Sequence, residues 1–70
     1  MMTRKDYEAA AAIVREHAKA EARENGIPIA QFNIATSATA VTMEAFVSFF
    51  RKSNGRFDAD RFREACEPQG

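Results

Sequence analysis

Apolar residues in the first third of the chain recur as Tyr7, Ala11, Val14, Ala18 and Ala22, at intervals of four, three, four and four residues. That period lines them up along one side of an α-helix. Thr3 stands where an N-cap belongs, and Asp6 three residues later completes a Thr-x-x-Asp capping box. Met2 and Tyr7 hold the two positions of a hydrophobic staple. Ala9 to Ala12 add helix propensity without β-branching. Asn25 and then Gly26, which can take the left-handed conformation just past a helix end, precede apolar Ile27 and Pro28 and form a stop signal. The pattern predicts a helix over residues 3–25.

Residues 27–38 have a different rhythm. Ala30, Phe32 and Ile34 alternate with Gln31 and Asn33, the period of a short strand. A lone strand finds no partner in so short a chain unless it pairs across a dimer. The stretch 27–37 therefore reads as an ordered connector, with a strand or an early helical turn as its alternatives.

The helical period returns with Met43, Phe46, Val47 and Phe50, and Phe49 widens the same face. Glu44, Ser48, Arg51 and Lys52 lie opposite. A second helix is predicted over 38–53, capped by Ser37 or Thr39. Asn54-Gly55 ends it, because both residues tolerate positive φ. A third, short helix is predicted over 59–66. Asp58 is its N-cap, and Phe57 with Phe62 forms a second staple. Phe62, Ala65 and Cys66 share a face that closes over the aromatic end of the second helix, and Pro68 discourages continuation. The expected fold is all-α: one small helical domain over residues 1–70, its two longer helices packed as a hairpin-like pair and its third helix short.

Composition narrows the function classes. Seventy residues make one domain, and a chain of this size buries only about 60% of its unfolded surface. One cysteine forms no internal disulfide, and one histidine excludes the common zinc patterns. The expectation is help from self-association or from a partner. Ten basic residues balance ten acidic ones, which disfavours a dedicated nucleic-acid binder. No secretory signal is read at the start. The longest uncharged run, the 19 residues from Asn25 to Met43, holds Gly26, Pro28, Gln31, Asn33 and four Thr or Ser, too polar to span a membrane. A lone Cys66 suits a reducing compartment, so a cytoplasmic location is expected, with no membrane partner.

Candidate chemistry is sparse. His17 sits near the edge of the first helix's apolar stripe, where it is a partly buried residue paired with Glu21 or, less simply, a ligand. The carboxylate-bridged di-metal motif needs Glu three residues before His, and that position is Val14. Cys66 as a nucleophile would need His17 beside it and an electropositive, exposed setting. Its place beside Phe62 and Ala65 makes it a structural thiol instead. Asp58 and Asp60 start like a calcium loop, but the glycine and the closing Glu are missing. No catalytic, metal or cofactor constellation results.

Two basic features remain: Arg15, Lys19 and Arg23 at i, i+4, i+8, and Arg51, Lys52, Arg56, Arg61 and Arg63 against Asp58 and Asp60 in residues 51–63. Either set is able to track phosphates. Five of the six phenylalanines also fall between positions 46 and 62. Phe46, Phe50, Phe57 and Phe62 read as core. Surplus aromatic area around Phe49, together with the five basic residues, reads as a partner-binding surface.

The chain's ends carry a resemblance. Met2-Thr3-Arg4-Lys5-Asp6-Tyr7 and Asn54-Gly55-Arg56-Phe57-Asp58-Ala59-Asp60-Arg61-Phe62-Arg63-Glu64-Ala65-Cys66 resemble the start and end of a group of short, uncharacterised proteins of tailed phages and prophages. Gly55 stands where that group usually has proline, which implies a less rigid turn. The resemblance implies a phage or mobile-element origin and a small helical fold, and it implies no activity. The matching residues Thr3, Asp6, Phe57, Asp58, Phe62 and Cys66 are caps, staples and packing groups, as Gly26, Phe46 and Phe50 are between them.

The expected function is a non-enzymatic phage-type accessory protein that binds a host or phage protein. By analogy with anti-CRISPR inhibitors, that target is a host-defence component. The alternatives are a nucleic-acid-binding accessory or regulatory protein and a homodimeric structural module.

Overall fold

The computed structural model describes residues 3–68. Three α-helices, α1 (Arg4–Glu24), α2 (Thr39–Ser53) and α3 (Ala59–Ala65), are joined by a connector that contains two 3₁₀ turns, Ile29–Gln31 and Ile34–Thr36. No strand occurs among the described residues. The two longer helices pack together and the short C-terminal helix packs on both. The all-α expectation holds.

Helix α1 begins and ends as its sequence dictates. The Thr3 N–H donates to Asp6 Oδ2 at 2.8 Å, and the Thr3 hydroxyl donates to the same oxygen at 3.3 Å, within a capping box. The Met2 half of the expected staple lies outside the described residues. At the other end Gly26 takes φ +67°. The Ile27 N–H donates to Ala22 O at 2.9 Å and the Gly26 N–H to Arg23 O at 3.2 Å, the paired bonds of a Schellman stop. Between the ends, Ala11, Val14, Ala18 and Ala22 are buried and Tyr7 is half-buried. These short side chains let the larger groups of α2 and α3 lie close against the α1 backbone.

The connector reaches the core by an unexpected route. Phe32 and Ile34 are buried while Ala30 is exposed. The alternation therefore marks two core anchors, but Phe32 directly follows the first 3₁₀ turn and Ile34 begins the second, since a strand here would leave its backbone groups without partners. Asn33 Oδ1 accepts from the Ala35 N–H at 3.1 Å and starts the second turn.

Neither expected cap begins α2. Its N-cap is Ala38, which has no side chain able to cap. The Ser37 hydroxyl instead donates to Ile34 O at 2.7 Å. Glu21 of α1 supplies the cap from across the hairpin. Its Oε2 accepts from the Ala38 N–H at 3.0 Å, and its Oε1 accepts from the Thr39 N–H at 2.8 Å and the Thr39 hydroxyl at 2.6 Å. The free N–H groups of a helix start attract a carboxylate by geometry and by charge. The hydrogen bond from the Thr39 hydroxyl is the main reason the Glu21 pKa falls below its ordinary 4.5.

Met43, Val47 and Phe50 of α2 are buried and Phe46 is half-buried, but Phe49 is 53% exposed and does not widen the buried face. The end of α2 also differs from expectation. Among the described residues only Gly26 has positive φ, and Asn54 is extended at φ −149°. The turn is held by Asn54 itself: its Oδ1 accepts from the Arg56 N–H at 3.0 Å and its carbonyl from the Phe57 N–H at 3.0 Å. Such a side-chain turn does not use the freedom of Gly55.

Asp58 caps α3 through Oδ1, which accepts from the Arg61 N–H at 3.1 Å, and the stapled rings of Phe57 and Phe62 lie 5.6 Å apart. Helix α3 is tied to each of its neighbours. Arg15 of α1 donates to Ala65 O at 3.1 Å. Arg63 grips Glu44 of α2 with two bonds of 2.8 Å and reaches Asp60 at 3.2 Å. The two-pronged bond to Arg63 lowers the Glu44 pKa and raises that of Arg63.

Two measurements check this account. Phe62 is 4% exposed, so Phe62→Ala is expected to lower unfolding free energy in urea by about 3–5 kcal/mol. A loss below about 1 kcal/mol would mean the ring is not packed as described. The Glu21 carboxylate has a folded pKa below its ordinary 4.5. Its stabilising effect is therefore present above that pH and is lost as pH falls through the lower folded value. The urea midpoint is expected to drop between about pH 6 and pH 3, and Glu21→Gln is expected to start lower at pH 6 and fall less. Parallel curves for the two proteins would rule out the cap as a source of acid sensitivity.

Candidate functional site

The end of the molecule where α1 starts and α2 hands over to α3 carries most of the chemistry expected from the sequence. Tyr7 meets Phe50 edge-to-face at 4.8 Å and Phe57 at 5.1 Å. Phe57 and Phe62 continue the layer. Tyr7, Phe57 and Phe62 line a groove of about 390 Å³ together with Arg4, Arg56 and Arg61 and with Glu8, Asn54 and Asp58. The groove exists because the antiparallel return of α2 sets residues 54–62 beside the first turn of α1.

The polar groups of the groove are unequally engaged. Arg4 pairs with Glu8 at 3.4 Å. Asp58 is turned to the Arg61 N–H as the helix cap. Asn54 Nδ2 donates to Tyr7 Oη at 3.3 Å, which leaves the tyrosine its own O–H to donate. The guanidiniums of Arg56 and Arg61 make no hydrogen bond or ion pair with the described residues.

The structure divides the six residues expected to bind a partner. Arg56 and Arg61 share the groove. Phe49, Arg51 and Lys52 are exposed on α2 and do not line it. At 3.6 residues per turn, Arg51 falls on the stripe of Glu44, seven residues earlier, while Phe49 falls on a different side. Arg63 is half-buried and committed to Glu44 and Asp60, so it holds the fold together. Sequence reasoning had not placed Arg4 or Tyr7 at a site. Tyr7 carried a signal, since it is the single residue of the α1 stripe with a polar tip.

The other candidates separate. His17 is exposed, not partly buried, and Glu21, its expected partner, is occupied at the start of α2. Cys66 is fully buried, and burial pushes its thiol up to about 11, with Arg15 opposing and Glu67 and Glu44 adding to the rise. A neutral, enclosed thiol is a poor nucleophile. The Arg15, Lys19 and Arg23 stripe is also broken up, since Arg15 reaches Ala65 O and Lys19 pairs with Glu16 at 3.4 Å. No cluster of His, Cys, Asp or Glu among the described residues is arranged to hold a metal ion. No described helix is long and apolar enough to cross a membrane.

Comparison with known proteins places the chain in no family: no family model, curated protein or solved structure matches it.

The buried thiol gives a direct check. Cys66 is expected to react with a disulfide reagent at about pH 8 at least about a hundredfold more slowly in the native protein than in urea. Equal rates would mean that the C-terminal end of α3 opens readily.

Proposed function

We propose that this chain is a small, non-enzymatic accessory protein of phage type that acts in the bacterial cytoplasm by binding another protein, with a host or defence component as the target. The observation that carries this reading is the pair of unengaged guanidiniums, Arg56 and Arg61, beside the partly exposed rings of Tyr7 and Phe57 in the groove. Arg51 and Lys52 of α2 are exposed and likewise in no ion pair among the described residues, while the half-exposed Phe49 lies on another side of that helix. An exposed ring among free arginines is the composition of a protein-binding surface. The buried, neutral Cys66 and the exposed, isolated His17 supply no nucleophile–base pair. The phage assignment rests on the resemblance of the two chain ends, which the fold brings together along the groove.

Nucleic-acid binding is the second reading, favoured by the same four cations. It is weakened by the loss of the Arg15–Lys19–Arg23 stripe and by the acidic residues Asp58 and Asp60 between the remaining positive charges. A homodimer is the third, with the exposed apolar side chains of Ile13, Val41 and Phe49 as its available contacts.

Size-exclusion chromatography with light scattering, with and without bacterial host lysate, separates the three. A monomer that moves into a complex stable to about 300 mM salt is the expected result. A dimer that captures nothing points to self-association. Binding to duplex DNA that weakens roughly a hundredfold between about 50 and 200 mM salt points to nucleic acid.

A further inference from the structure

We infer that the groove between the start of α1 and the α2–α3 corner is a peptide-binding site, and that its ligand is an acidic segment of a protein partner carrying one aromatic or large aliphatic anchor. This rests on the protein-binding reading above and names the chemistry of the partner. Three features of the groove converge on it. The volume, about 390 Å³, falls at the small end of ligand sites, the size of one inserted side chain with its neighbours. The floor is aromatic: Tyr7 and Phe57 are half-buried, so each keeps ring surface open to the groove, while Phe62 closes the bottom at 4% exposure. An apolar anchor seated there would displace water from the Tyr7 and Phe57 rings.

The rim sets the sign of the ligand. Arg4 is neutralised by Glu8, and Asp58 is occupied as a helix cap. Arg56 and Arg61 line the groove with their guanidinium donors free, and the Tyr7 hydroxyl keeps a proton to donate. A guanidinium fork matches a carboxylate in two parallel hydrogen bonds. Two such forks beside an aromatic hollow therefore fit acidic side chains next to an apolar anchor.

The test uses the whole protein and a fluorescein-labelled peptide with one phenylalanine flanked on both sides by acidic residues. Two comparison probes are the same peptide with alanine for phenylalanine, and an oligothymidylate of equal charge. The expected result is saturable binding of the first peptide, with ¹⁵N-amide shifts confined to residues around Tyr7, Arg56, Phe57 and Arg61. Removal of the phenylalanine is expected to weaken binding by about tenfold, as is the double variant Arg56→Glu with Arg61→Glu. The two arginine side chains are exposed and hold nothing in the fold, and circular dichroism checks that the variant stays helical. The inference is overturned by equal binding of the two peptides, by tighter binding of the oligothymidylate, by shifts elsewhere on the surface, or by no saturation at about 1 mM peptide. Its failure is separable from that of the wider reading. If the double variant captures the same salt-resistant partner as the wild type, protein binding stands and the groove is not its site. If the peptide binds but the wild type captures no protein, the groove stands and the accessory role does not.

Discussion

One ring holds the three helices to a common centre. Phe50, at 2% exposure, has Tyr7, Phe57, Phe62, Phe46 and Phe49 around it at ring distances of 4.8 to 5.8 Å. Tyr7 belongs to α1, Phe57 to the turn and Phe62 to α3, so a single α2 side chain fixes where each of those elements sits. The edge-to-face contacts with Tyr7 and Phe62, at 75° and 79°, add orientation to what apolar burial alone would leave loose. A chain with one cysteine and no metal cluster among its described residues depends on such directional packing. The alanines of α1 are its necessary complement, since larger side chains there would keep the rings away.

The opposite end of the hairpin is held by a polar device. Glu21 reaches across from α1 to receive two backbone N–H groups and a hydroxyl at the start of α2. Phe32 and Ile34 meanwhile close the core beneath the connector. The hairpin is thus clamped by a carboxylate at one end and by stacked rings at the other. With Arg63 gripping Glu44 and Arg15 holding Ala65, α3 is joined to both long helices by charged as well as apolar contacts.

These internal commitments also shape the surface. Glu21, Glu44, Asp58 and Asp6 are all engaged in caps or ion pairs, so the chain's zero net charge hides an uneven distribution of usable groups. Arg56 and Arg61 remain free beside the Tyr7–Phe57 rings because the neighbouring acids are spent on structure. The groove follows from the same packing that makes the fold: rings gathered around Phe50 leave their outer edges on the surface where the chain turns.

Local signals in the chain determined the helices themselves. The capping box, the Gly26 stop, the α1 stripe, the Asp58 cap and the Phe57–Phe62 staple all act between residues at most five apart, so they are readable without a fold. The expected site was legible only in part. Composition pointed to Arg56 and Arg61, which line the groove, and equally to Arg63, which a distant Glu44 claims. Helical period sets Phe49 beside the buried face while the aromatic surplus sets it at a surface, and its 53% exposure follows the second, because period marks a direction and not how far the neighbouring helix extends. Three matters were left to the tertiary structure: the Glu21 cap, the burial of Phe32 and Ile34 in a connector of 3₁₀ turns, and the meeting of Tyr7 with the α2–α3 corner. Each joins residues from separate elements, and their adjacency exists only once the hairpin has closed.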